Sequence, residues 1–147
     1  MDISHGKYLG VDYGDVRTGL AESDVSGFIA GRIGTVKPGG MRRTAELVAK
    51  EAEDRMCKKI IIGLPKNMDG TEGERADVIK AFAKILSEIT DIPIDFCDER
   101  MSTMAAYRFL GETETFGKRR RQSVDAVSAE IILQSYLDRE RNQKKQI

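Results

Sequence analysis

Leu9-Gly10-Val11-Asp12-Tyr13-Gly14-Asp15-Val16-Arg17-Thr18-Gly19-Leu20 is the stretch whose reading decides the fold. Leu9 and Val11 suit a strand near the middle of a sheet, and Asp12 falls where that strand ends. A carboxylate there is costly to bury unless it is paired or holds a cation. Gly14 and Asp15 form a short turn, and a second strand starts at Thr18. A link this short implies an antiparallel hairpin.

Working outward, Arg32–Val36 reads as a third strand on an exposed edge, and Lys37-Pro38-Gly39-Gly40 breaks the chain. Met41, Ala45, Val48, Ala52 and Met56 then recur at helical spacing. Lys59-Ile60-Ile61-Ile62 is short and continuously apolar, as in a strand buried on both faces. Strand, helix, strand predicts a parallel pairing. Thr71 and Glu74 have capping-box spacing ahead of a helix carrying Ala76, Ile79, Ala83 and Leu86. Ile92–Cys97 is a further strand, with Pro93 marking an edge. A short helix is expected around Ala106–Leu110, then a mobile loop over Gly111–Arg121. A last helix is expected from about Ser123 to about Leu137, with Asp125 in its first turn. Residues 1–138 thus form one domain, and 139–147 read as a disordered polar tail.

The fold class is therefore α/β, a mixed five-stranded sheet with flanking helices. Three antiparallel strands feed two parallel ones, which is the ribonuclease-H-like pattern. A Rossmann unit would want a helix directly after the first strand and a GxGxxG run.

Composition narrows the chemistry. The chain has 147 residues, 24 basic against 24 acidic, two cysteines, one histidine and no tryptophan. Cys57 and Cys97 lack zinc-site spacing and read as buried small side chains. His5 has no evident partner, so hydrolytic chemistry here runs on carboxylates. No apolar run has the length of a membrane span, and the N-terminus lacks a signal stretch. The expectation is a cytoplasmic protein with no membrane partner.

Asp12 closes the first strand, Asp98 and Glu99 close the last, and Asp125 opens the final helix. In this topology the acids gather at one sheet edge, where open α/β sheets take ligands. Mg²⁺ relieves such crowding, because it prefers oxygen ligands. Acids at element ends also serve as caps and turns, so both readings stand at this point. Of the adjacent pair, Glu99 has the reach to face inward, leaving Asp98 to hold the turn or a neighbouring Arg. Arg17, Arg100 and the run Lys118, Arg119, Arg120 and Arg121 are candidate contacts to a nucleic-acid backbone.

These motifs carry a family resemblance. Gly10–Ala21, Ile62-Gly63-Leu64-Pro65 with Asp69-Gly70-Thr71, Asp98–Thr103, and Val124-Asp125-Ala126 running on to Leu137 stand in order along the chain. Together they resemble the signatures of the YqgF family, nucleases of 16S ribosomal RNA precursor processing related to RuvC-type Holliday junction resolvases. The resemblance implies metal-dependent phosphodiester cleavage. It assigns Asp12, Glu99 and Asp125 as catalytic metal ligands, Mg²⁺ or Mn²⁺ as cofactor, and precursor ribosomal RNA as substrate, with DNA as a further possibility. RuvC-type resolvases carry an acid at the fourth strand. Here that place reads Gly63-Leu64-Pro65, so the acid comes from the fifth. The alternative function is a nucleic-acid-binding factor of the same fold with weak or no catalysis, acting in transcription. Monomer and homodimer both remain open.

Overall fold

The computed structural model describes residues 6–37, 39–102, 104 and 118–145; the side chains of 101, 118–125, 144 and 145 are not described. The strands are β1 (Lys7–Asp12), β2 (Thr18–Ser23), β3 (Ala30–Val36), β4 (Cys57–Leu64) and β5 (Ile94–Asp98). The helices are α1 (Met41–Asp54), α2 (Glu74–Ile89) and α3 (Lys118–Lys145), and a 3-10 turn spans Glu99–Met101.

The sheet order is β3-β2-β1-β4-β5. β1 pairs antiparallel with β2 and parallel with β4, β2 pairs antiparallel with β3, and β4 pairs parallel with β5. The expected mixed sheet is therefore present, with β3 and the Pro93-led β5 at its edges.

Alternation along the strands assigns two faces. Leu9, Val11, Leu20, Ile60, Ile62 and Leu64 join α1 and α2 in one buried cluster. Ala21, Ile61 and Cys97 join Ala129, Ile132, Leu133 and Leu137 of α3 in another. α3 lies close against β1, because Gly10 presents no side chain to it. A Cβ at Gly10 would stand 2.7 Å from Leu133 Cβ and 3.0 Å from the Ala129 carbonyl oxygen. At the far end, Lys59 Nζ donates to Tyr136 Oη at 2.7 Å, and Tyr136 Oη donates to Asp95 Oδ2 at 2.8 Å. This chain of polar contacts fastens α3 to both parallel strands.

Three expectations need correction. α3 begins at Lys118, not near Ser123, and continues to Lys145, so 118–121 and 139–145 are helical. Lys and Arg are good helix formers, and they extend the element past its apolar stripe. Asp125 accordingly sits in the third turn of the helix, not the first. The capping box is also absent. Gly73 is the N-cap of α2 and makes no side-chain cap bond. The Thr71 hydroxyl donates instead to Asp69 Oδ1 at 2.6 Å, and the Thr71 N–H to the same oxygen at 2.9 Å. The short helix expected around Ala106–Leu110 and loop residues 111–117 lie outside the described residues.

Candidate active site

Asp12 ends β1 on the face that α3 covers, since it follows Tyr8 and Gly10 by strand alternation. Glu99 opens the 3-10 turn after β5 and is only 7% exposed. Both line one cavity of about 290 Å³ at the C-terminal edge of the parallel strands, with Tyr13, Gly14, Arg17, Gly63, Pro65, Arg75 and Ile79. Two carboxylates from sequence positions far apart thus share a concave site with two guanidinium groups.

Asp98 and Glu99 part company at the strand end. Asp98 Oδ1 accepts the Arg100 N–H at 3.0 Å, and its Oδ2 accepts from Arg100 Nη2 at 2.7 Å. The Arg100 side chain beside Asp98 holds that carboxyl below its ordinary range and raises the guanidinium in turn. Asp98 is therefore a turn residue with an ion-pair partner. Arg100 is committed to that carboxylate and does not line the cavity.

The side chain of Asp125 is not described, but the helix register locates the residue. Ser128, Ala129, Ile132 and Tyr136 are buried on the sheet-facing stripe of α3. Asp125 stands three, four, seven and eleven residues before them, on the same stripe. α3 runs antiparallel to β1, with Leu137 near the start of the strand beside Tyr8, and Leu133 and Ala129 over Gly10. From Ala129 back to Asp125 is about 6 Å of helix, and from Gly10 on to Asp12 is about 6.6 Å of strand. The two acids come to the same level. Lys118, Arg119, Arg120 and Arg121 belong to the first turn of this helix.

Arg17 is in the cavity wall, as the sequence places it beside Asp12. Arg75 and Tyr13 were not anticipated. Arg75 Nη2 donates to the Tyr13 carbonyl oxygen at 2.5 Å, and its guanidinium stands 5.6 Å from the centre of the Tyr13 ring. The Tyr13 ring stacks on Phe82 at 4.3 Å, and burial together with Asp15 pushes its phenol up. The available signals were Tyr13 directly after Asp12, and Arg75 in the first turn of a helix that starts at the ligand-bearing edge.

The acids of the cavity would suit a hard cation: Asp12 and Glu99 offer carboxylate oxygens, and neither cysteine lines it. Among the described residues no three His, Cys, Asp or Glu side chains stand together as a metal cage. Asp12 and Glu99 are the two acids that line the cavity.

Known proteins match this chain over most of its length. A family model described as "RuvX: Holliday junction resolvase" matches residues 6–139. A protein of Ruegeria sp. (strain TM1040) named "Putative pre-16S rRNA nuclease" is 42% identical over 134 residues, covering 91% of this chain and 85% of that protein. One of the same name from Clostridioides difficile (strain 630) is 38% identical, covering 90% and 94%. A solved structure, T. thermophilus RuvC in complex with Holliday junction substrate, matches with TM-score 0.58 at 14% identity, covering 92% of this chain and 97% of that one. That likeness shows the ribonuclease-H-like fold. By the family match and by its relatives, the chain belongs to the RuvX family of nucleases.

Proposed function

We propose that this chain is a divalent-metal-dependent endonuclease that hydrolyses phosphodiester bonds in the maturation of 16S ribosomal RNA precursor. The observation that carries the reading is the meeting of Asp12 and Glu99 in one cavity, with Asp125 at the same level on the covering helix. Names of relatives such as the Ruegeria protein supply the substrate. Asp12, Glu99 and Asp125 would hold the cation. A bound Mg²⁺ or Mn²⁺ activates water and offsets charge on the leaving oxygen. The chain's own part is to fix the acids on three elements of the fold, where a cation would relieve their mutual repulsion. Arg17 and Arg75 give the cavity wall positive charge toward a phosphate backbone, and the basic start of α3 extends that path. Cytoplasmic location belongs to the same proposal; among the described residues no helix is long and apolar enough to cross a membrane.

The test is incubation of purified protein with 16S precursor RNA, with and without Mg²⁺, beside Asp12→Asn and Glu99→Gln. Each change removes a charge while keeping shape. Each should lower cleavage by about 10²–10³-fold, the cost of deleting one transition-state stabiliser, with melting little changed. Undiminished cleavage by Asp12→Asn would remove the assignment. RNA binding with no Mg²⁺-dependent cleavage by the parent would make the chain a binding factor instead.

A further inference from the structure

Asp12 ends β1 and Glu99 directly follows β5, two strands that do not touch because β4 lies between them. Adjacent strands are about 4.8 Å apart, so β1 and β5 stand roughly 10 Å from each other. For the two carboxylates to serve one cavity, the Glu99 arm has to cross β4. The residue at the crossing is Gly63, one position beyond the Val11–Ile62 pair of the β1–β4 ladder, as Asp12 is on β1. It pairs with Cys97 on β5, two residues before Glu99.

A Cβ at Gly63 would lie 3.0 Å from Glu99 Oε1 and 2.5 Å from Ile132 Cδ1. Its backbone is not in the left-handed region, which among the described glycines is occupied by Gly27, Gly34, Gly40 and Gly70. Any L-residue could adopt this conformation. What excludes a side chain is space, and the space is filled by the carboxylate on one side and by α3 on the other.

We propose that Gly63 is a positioning residue of the site: its missing side chain is the slot through which Glu99 reaches across β4 toward Asp12. The consequence for metal binding rests on the nuclease reading above; the consequence for Glu99 does not.

Gly63→Ala alone confounds two effects, because the new methyl also strikes Ile132. Ile132→Val deletes the Cδ1 that lies at 2.5 Å; Ile132 Cγ1 at 3.1 Å stays as a contact of the new methyl beside Glu99 Oε1 at 3.0 Å, so the crystallographic position of Glu99 carries the comparison. The comparison is therefore Ile132→Val against Ile132→Val with Gly63→Ala. Crystal structures of both, Mn²⁺ titrations followed by electron paramagnetic resonance, and cleavage assays are the readouts. The double variant should melt close to Ile132→Val, show the Glu99 carboxylate displaced from β4, and bind Mn²⁺ about tenfold more weakly, the scale expected when a support of a metal ligand is lost. Raising Mn²⁺ should restore part of its cleavage, which a merely structural defect would not allow. Glu99 unmoved, or Mn²⁺ affinity equal to that of Ile132→Val, overturns the proposal. If the parent itself neither binds Mn²⁺ nor cleaves, the nuclease reading falls, and the crystallographic position of Glu99 still decides whether Gly63 sets it.

Discussion

Gly10→Ala tests whether the distance between α3 and β1 sets the site. The added methyl would stand 2.7 Å from Leu133 Cβ and 3.0 Å from the Ala129 carbonyl oxygen. Carbon atoms rest at about 3.5–4.0 Å, so relief needs a movement of about 1 Å. Neither opposing atom is the end of a flexible side chain, so the helix itself has to lift. Overpacking of this kind costs about 1–3 kcal/mol. At roughly 3 °C per kcal/mol for a chain of this size, the melting temperature should fall by about 3–9 °C. Asp125 rides on the same helix, one turn before Ala129, and a catalytic group misplaced by about 1 Å can cost 10²-fold. The assay pairs thermal melting with Mg²⁺-dependent cleavage of precursor RNA well below the melting point. Gly31→Ala is the control, since the nearest atom to its Cβ is the Glu22 carbonyl oxygen at 4.0 Å. Melting unchanged in Gly10→Ala would refute the packing argument. Lowered melting with full cleavage would refute the link between helix position and chemistry.

Two further outcomes are expected. Asp24 accepts the Phe28 and Ile29 N–H groups on Oδ1 at 2.8 and 3.0 Å, and the Ile29 bond, with Ser26, holds its carboxyl down at about 2. A depressed folded-state pKa stabilises above the ordinary carboxylate value and loses that contribution as pH falls through the folded one. The melting gap between parent and Asp24→Asn should therefore be full at pH 7 and close between about pH 4 and pH 2; a gap independent of pH would dismiss the ionised carboxylate as its cause. Replacing Lys118, Arg119, Arg120 and Arg121 together by Ala in an Asp12→Asn background should weaken RNA binding about equally across sequences and lower the salt slope by about one unit for each phosphate no longer neutralised. An unchanged slope over a salt series would leave the run as ordinary helix surface.

The sheet was legible because its signals are local: a hairpin at Gly14, an Ile60–Ile62 run, and helical periodicity between strands. Glu99 rather than Asp98 as the inward acid followed from side-chain length, and the Asp98–Arg100 pair shows what the shorter residue does instead. The ends of α3 were not legible, because a run of Lys and Arg carries no apolar period although it is good helix. Thr71 does not cap because its groups are engaged locally: its hydroxyl accepts from Asn67 Nδ2 and donates to Asp69, which also takes the Thr71 N–H that Glu74 would accept in a capping box. Arg75 enters the site through the Tyr13 carbonyl, a hydrogen bond across 62 residues that no local pattern encodes. Gly63 stood out in the sequence only as the place where RuvC-type resolvases carry an acid; its closeness to Glu99 was not legible, since that arm comes from beyond a strand two places along the sheet from β1.

The two thiols divide between the layers, Cys57 with α1 and α2, Cys97 with α3. Burial pushes each up to about 11, so in the closed molecule neither is a thiolate at neutral pH. They are in effect two reporters of opening, one for each side of the sheet. An alkylating reagent would mark Cys97 ahead of Cys57 whenever α3 lifts as a unit, and both at one rate when the molecule opens as a whole. The layer formed by α3 thus carries its own record of how often it leaves the sheet.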